Sequence, residues 1–228
     1  MPYLLLAAAI LVAVLYWELV IAEGAHLGTG VVVWLYDLTA GRYDRIKQFD
    51  LAVENGTLGL PLAAELAAVD APLVLDAACG TGRVAWALLR QPAFDGTLVN
   101  LDLSAGMLRQ GRPQGGAWPG RVRWLRSPAD ALPFDTDAFD AVTCLEALEF
   151  MPDARAVLAE CVRVLRPGGL LLTTNRIGRD AWLMPGKTFP RPAFERLLAQ
   201  LPLYNIQIEP WQVEYDLVWA RKESREIS

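Results

Sequence analysis

Apolar and polar positions are distributed unevenly along this chain. From Tyr3 to Ala22 the run YLLLAAAILVAVLYWELVIA carries Glu18 as its only charge. Twenty helical residues at about 1.5 Å rise extend about 30 Å, the depth of a bilayer's hydrocarbon core. A cleavable leader would want a basic start and a shorter apolar stretch, whereas the first Lys or Arg here is Arg42. A core helix apolar on every side would need a larger protein around it. The pattern therefore predicts a membrane anchor, with Tyr16 and Trp17 in the headgroup zone and Glu18 close enough to the end to reach the interface. Arg42, Arg45 and Lys47 follow the run, an asymmetry that places the remainder of a single-pass protein in the cytoplasm. Ala22 to Gly30 interrupts the helical pattern. VVVWLY then resumes it over a length too short to cross, as a second segment expected to lie along the membrane surface.

Beyond the anchor the periodicity changes twice. Residues 36–70 read as two helices broken near Asn55-Gly56. Strict alternation follows. Strands are predicted at Pro72–Ala77, Thr97–Leu103, Arg121–Leu125, Phe139–Cys144 and Leu170–Thr174. The helices between them include one capped by Ser104 and one that starts at Asp153 and stops at Pro167-Gly168-Gly169. A helix over Pro192–Gln200 precedes strands at Tyr204–Glu209 and Val213–Trp219. Pro210-Trp211-Gln212 between these two is long enough for a hairpin and too short for a parallel crossover. The expectation is an α/β fold with a doubly wound, mostly parallel seven-stranded sheet closed by an antiparallel hairpin. Three units follow: anchor and linker at 1–30, a helical lid at 31–70, and the α/β domain at 71–228.

Charge and rare residues narrow the chemistry. The net charge is -5 with no long basic run, which argues against a nucleic-acid partner. Cys79, Cys144 and Cys161 have neither CxxC spacing nor an even count, so no disulfide framework or zinc site is expected, and no other metal. The single histidine, His26, lies in the linker, which leaves Ser-His-Asp and zinc-hydrolase chemistry no residue in the folded body.

The sharpest local signal is Val74-Leu75-Asp76-Ala77-Ala78-Cys79-Gly80-Thr81-Gly82, a strand running into small residues and then a helix. Glycines there let the backbone turn tightly and approach a ligand. Asp102, 20 residues past Gly82, ends the next strand where a carboxylate suits two ribose hydroxyls. Gly80-Thr81-Gly82-Arg83-Val84-Ala85 also satisfies a dinucleotide pattern, G-x-G-x-x-A. Asp76 separates the two readings. A carboxylate so close repels a pyrophosphate and attracts an α-ammonium, so the loop suits a nucleoside bearing an amino acid better than NAD.

These residues resemble the first motif of class I S-adenosylmethionine-dependent methyltransferases, D-x-x-C/G-G-x-G, of the kind found in quinone biosynthesis. Four later stretches agree in order: Leu101-Asp102-Leu103-Ser104 with Met107-Leu108; Pro128-Ala129-Asp130-Ala131-Leu132-Pro133-Phe134; Phe139-Asp140-Ala141-Val142 through Leu148-Glu149-Phe150; and Leu165-Arg166-Pro167-Gly168-Gly169-Leu170. The resemblance covers Tyr36 to the end. It implies S-adenosylmethionine as cofactor. Asp76, Gly80 and Gly82, with Ala78, Cys79 and Thr81 of the same loop, are expected around the methionine portion. Asp102 would hold the ribose, Ala129 and Asp130 the adenine, and Leu103 and Met107 would pack beside it. Cys144 would line the floor. Tyr43, seven residues from Tyr36 on one helix face, matches a lid tyrosine that similar enzymes place near the sulfonium.

Many relatives carry Leu-Glu-His where this chain has Leu148-Glu149-Phe150, so a histidine base is missing. Positioning supplies most of the help in methyl transfer, and Glu146 is the carboxylate to test as a catalytic group. The expected acceptor is a small molecule or lipid at the membrane: a lipid, a quinone precursor or another apolar compound, confined on the same surface as the tethered enzyme. An NAD-dependent oxidoreductase and a membrane-anchored module that binds without catalysis are the rival readings.

Overall fold

The computed structural model describes residues 1–224, so the end of the expected 71–228 domain lies outside the described residues. The chain opens with α1 (Pro2–Tyr16), which passes into a π-helical turn, Trp17–Ile21, giving one continuous 20-residue helix. Pro2 suits the first turn, where its missing N–H is not needed. No side chain of α1 is buried against the rest of the chain, and Leu4, Leu5 and Val12 are among many left exposed. The continuous helix Pro2–Ile21, mostly exposed and with Glu18 as its only charge, is long enough to cross a bilayer, by length and composition. Its far end behaves differently. Glu18, expected to reach the interface, is buried, with His26 Nδ1 3.2 Å away. The chain folds back there because Ala22 and Ala25 pack on Met184.

The segment expected to form a lid comprises α2 (Thr29–Thr39), a 3₁₀ turn at Ala40–Arg42, α3 (Tyr43–Lys47), α4 (Leu51–Glu54) and α5 (Leu60–Leu66). The expected break at Asn55-Gly56 is absent: Asn55–Gly59 widens into a π-helical turn that joins α4 to α5. The break falls earlier. Gln48 takes a left-handed conformation, φ 50°, and Asp50 then caps α4 by accepting from the amides of Ala52 and Val53.

Among the described residues seven strands form one sheet in the order β3-β2-β1-β4-β5-β7-β6. They are β1 (Leu73–Ala77), β2 (Thr97–Asp102), β3 (Val122–Arg126), β4 (Phe139–Cys144), β5 (Leu165–Arg176), β6 (Leu203–Trp211) and β7 (Tyr215–Lys222). β1 to β5 run parallel, and β7 is antiparallel to both neighbours. The central strands are continuous apolar runs because helices cover both faces. Leu75, Ala77, Val142 and Cys144 face α8 (Ala154–Val164) and α10 (Arg191–Leu198). Val74, Leu98 and Ala141 face α5 and α6 (Arg83–Leu89). α7 (Ala105–Gly111) follows β2, with Ser104 capping the amide of Met107 as expected, and α9 (Gly178–Trp182) follows β5.

Two boundaries depart from expectation. α8 stops at Val164, before Pro167-Gly168-Gly169, and the chain is already strand from Leu165. The residue before a proline avoids helical backbone, and the Lys222 ammonium takes up the last carbonyls, of Arg163 and Leu165. The closing hairpin also turns later, over Gln212-Val213-Glu214, since Trp211 still pairs with Tyr215. Pro210 remains in β6 because that strand is the sheet's edge, where a missing N–H is tolerated.

Candidate active site

β1 and β4 are adjacent, yet the chain leaves β1 toward β2 and β4 toward β5. That reversal opens a crevice at the carboxyl ends of the strands. Ala78 (φ 55°) and Glu146 (φ 49°) take left-handed backbone just past the ends of β1 and β4. In the glycine loop the Gly80 amide donates to Asp102 Oδ2 at 2.8 Å, which fixes the loop to the end of β2. Gly82 has φ 90°, and a Cβ there would lie 2.7 Å from Asn100 Nδ2 and 2.8 Å from Trp124. Only glycine fits that corner.

The two acids differ in how they are satisfied. Asp76 is buried; its Oδ1 accepts from the Thr143 hydroxyl at 2.6 Å, while Oδ2 has no partner. Burial pushes its pKa up to about 7, helped by the Asp102 charge and opposed by Thr143 and Arg83. Asp102 accepts from two backbone amides, Gly80 at Oδ2 and Ser104 at Oδ1, each at 2.8 Å. Burial raises its pKa, with these amides pulling against it.

The lid is fastened to the strand ends by polar contacts that the motif pattern does not reveal. Asp37 accepts from the Ser104 hydroxyl at 2.6 Å and the Gly106 amide at 2.7 Å. Asp44 accepts from the Thr81 hydroxyl at 2.6 Å. Arg83 lies between the rings of Phe49 and Trp211, 4.6 and 4.7 Å from their centroids, and forks onto Glu54 at 2.6 and 2.9 Å. Glu146 takes a further Arg83 N–H and the Lys47 ammonium, the latter at 3.0 Å. Burial alone would raise the pKa of Glu146, but the Lys47 and Arg83 charges outweigh it and hold the carboxyl below its usual range. The lone signal for Arg83 in the sequence is its place directly after the second glycine; Asp37, Asp44 and Glu54 look like any acids on a helix surface.

Together these elements form a cavity of about 150 Å³ that is partly open to solvent. Of the residues expected from sequence, Asp76, Ala78, Cys79, Gly80, Thr81, Asp102, Leu103, Ala129, Asp130, Glu146 and Tyr43 line it. Gly82, Met107 and Cys144 do not. Gly82 shapes the loop from behind, and Met107 and Cys144 are buried below the surface of the crevice. Tyr36 and Tyr43 fall on α2 and α3 rather than on one helix, because the 3₁₀ turn intervenes; their rings still meet, with centroids 6.0 Å apart.

The opposite wall is apolar. Thr29, Val32, Val33 and Tyr36 recur along one face of α2 and line the cavity with Phe150 and Met151. Phe150 meets Tyr36 edge-on at 5.7 Å. The Tyr36 hydroxyl donates to Glu23 Oε2 at 2.8 Å, and burial, with that carboxylate beside it, keeps the phenol protonated far above its ordinary range. Glu23 and Tyr36 bring the linker after α1 to the edge of the site, a contact without a motif.

Residues 74–169 match the family model of a methyltransferase domain. The chain carries a domain of the class I S-adenosylmethionine-dependent methyltransferase family. A demethylmenaquinone methyltransferase of Clavibacter sepedonicus is 37% identical over 144 residues, covering 63% of this chain and 57% of the relative. A ubiquinone/menaquinone biosynthesis C-methyltransferase of Geobacter sulfurreducens is 40% identical over 98 residues, 42% of this chain and 38% of the relative. The chain thus spans about half the length of these relatives. Among solved structures, the cyclase SpnF superposes with a TM-score of 0.68 at 18% identity, covering 86% of this chain and 96% of SpnF, a likeness of fold alone. The matched stretch of the methyltransferase domain begins in β1 and ends in β5. The apolar helix Pro2–Ile21 and the helices α2 to α5, with Tyr36, all precede it.

Proposed function

We propose that this methyltransferase moves a methyl group from S-adenosylmethionine to an apolar acceptor (a lipid, a quinone precursor or a similar small molecule) at the cytoplasmic face of a membrane. The observation that carries the cofactor half is Asp76 Oδ2, a buried carboxylate oxygen without a partner on the wall of the cavity. An unpaired buried charge is destabilising unless a cation meets it, and the α-ammonium of an amino-acid tail is such a cation. The other residues fit the same group. Backbone of Ala78 to Gly82 surrounds the methionine portion, Asp102 retains lone pairs for two ribose hydroxyls, and Ala129, Asp130 and Leu103 border the adenine. Tyr43 sits over Gly80, the nearest atom to a Cβ built there at 3.8 Å. A pyrophosphate would meet Asp76 instead, which disfavours the NAD reading.

The bound cofactor supplies an electrophilic methyl on a sulfonium. What the chain adds is placement. Val32, Val33, Phe150 and Met151 give an acceptor an apolar bed, and the Tyr36 hydroxyl, kept neutral and aimed by Glu23, gives it one polar mark. Glu146 is held between two cations and serves as the charge that seats the lid. With Phe150 where relatives have histidine, the chemistry rests on positioning an acceptor that already offers a lone pair or an ionised oxygen.

The membrane half rests on the exposed apolar helix Pro2–Ile21 and on α2, which begins at Thr29 and supplies a wall of the cavity. Its other side presents Trp34 and Leu38 to the surroundings, as a segment lying on a bilayer would. The test is incubation of the detergent-solubilised chain with methyl-labelled S-adenosylmethionine and a membrane lipid extract. Label should pass into the organic phase. Label found only in soluble compounds sinks the apolar acceptor, and bound cofactor with no transfer to any extract sinks the activity.

A further inference from the structure

The loop after β5 carries the most exposed aromatic side chain of the α/β domain. Trp182, at the end of α9, is 89% exposed, and Leu183 beside it is 41% exposed. Neither lines the cavity already described. A tryptophan so open on a folded surface calls for an environment that is apolar on one side and wet on the other.

The structure fixes where this loop lies. Trp17, in the last turn of the 20-residue helix, donates its indole N–H to the Leu183 carbonyl at 3.0 Å. His26 Nε2 stands 3.1 Å from the Pro185 carbonyl, which can only accept, so that nitrogen carries the hydrogen. The Trp17 and His26 rings stack at 5.1 Å, and Met184 is buried under Ala22 and Ala25. From behind, Arg176 holds Asp180 at 3.1 Å and Glu149 at 3.3 Å, and the Thr188 hydroxyl closes the loop on the Ala181 carbonyl at 3.0 Å. Trp182 is thereby held at the foot of the helix. Arg179, also exposed, precedes it by three residues on the same helix face.

We infer that the 178–188 loop is a second membrane contact, in which Trp182 and Leu183 enter the headgroup and acyl boundary beside the anchor and Arg179 faces anionic lipid phosphates. This rests on the reading of Pro2–Ile21 as a membrane helix. It adds that the domain is not free to turn on a tether. Two contacts, one a spanning helix and one a tryptophan loop, set its orientation. Phe150, which lines the cavity, packs against the cluster of Ala22, Ala25 and Met184, so that wall of the cavity is tied to the foot of the helix and to this loop.

The experiment uses the full chain in nanodiscs of phosphatidylcholine and phosphatidylglycerol, with acyl chains either plain or brominated near the headgroup. Emission of Trp182→Phe is subtracted from that of the unmodified chain, leaving the contribution of Trp182. An aromatic ring replaces an exposed aromatic ring, so folding is not at stake. The difference emission should lose about half its intensity in the brominated discs, as expected of a side chain seated at the boundary. Unchanged difference emission, while the seven remaining tryptophans of the variant (Trp17 among them) are still quenched, overturns this inference alone. Absence of quenching in both proteins overturns it together with the membrane reading beneath it. Protection from aqueous acrylamide without bromolipid quenching means that protein, such as a second copy of the chain, covers Trp182, and overturns it as well. A nitroxide at Trp182→Cys gives an independent reading: greater accessibility to oxygen than to a nickel chelate supports the contact, and the reverse order removes it.

Discussion

At the glycine-loop end of the cavity, Asp76 and Asp102 stand at the ends of central strands, and their positions follow from sheet register and a turn. At the lid end, Tyr36, Tyr43, Glu23 and Phe150 stand on short helices and loops, held by contacts between segments far apart in sequence. One end is polar and set by backbone; the other is apolar and set by side chains. Under the proposed function the sheet end would hold the cofactor and the lid end the acceptor, so a change of acceptor need not disturb the cofactor's seat.

The contrast can be broken most severely at Asp76. Asp76→Asn should weaken S-adenosylmethionine binding by about two orders of magnitude in calorimetry, the size of a buried charge-assisted pair. Without cofactor the variant should melt no lower than the unmodified chain, since it removes an unpaired buried charge. Affinity within a few-fold of the unmodified chain would defeat the assignment.

pH tests the same residue. In the unliganded chain Asp76 titrates near 7, so below that it is neutral and meets an ammonium poorly. Affinity should therefore climb by up to about tenfold per pH unit below 7, level off above it, and be accompanied by proton release in the climbing range. The sign for the unliganded fold is opposite. A carboxyl raised in the folded state stabilises it when protonated, and that contribution, full below the ordinary carboxylate range, is lost as pH rises through about 7. Proton uptake on binding would contradict both.

The lid end is probed through Gly106, where a Cβ would lie 2.8 Å from the Asp37 Cα. Gly106→Ala should push α2 away and cost about 1–3 kcal/mol in denaturant unfolding, with faster amide exchange in α2 than in β1. Equal exchange in both would mean that lid and sheet are one cooperative unit. The smallest effect is expected at Tyr36. Tyr36→Phe deletes one hydrogen bond, worth about 1 kcal/mol, and should leave cofactor affinity unchanged while raising KM for the acceptor. A matching loss of cofactor affinity would show that the two ends are not separable.

The same division explains what could be read from the sequence. The crossover order, the glycine turn and the placement of Asp76 and Asp102 were legible because each depends on local pattern: apolar runs, small residues after a strand, an acid at a strand end. The roles of Asp37, Asp44 and Glu54 were not, since an acid on a lid helix has the same pattern whether it faces water or Ser104, Thr81 or Arg83. The burial of Glu18 was not legible for a related reason. Its surroundings come from Ala22, His26 and the loop at Met184, a return of the chain that no periodicity records. Likewise the helix end at Val164 depends on Lys222, 58 positions downstream of it.

Ala78 and Glu146 carry one further implication. Each holds a left-handed backbone that a side chain disfavours, at the point where neighbouring strands send the chain in opposite directions. The strain is offset by the packing around it, so the notch between them stands ready-made. A guest loses its own freedom on arrival but imposes little ordering on its host, and its residence is correspondingly longer.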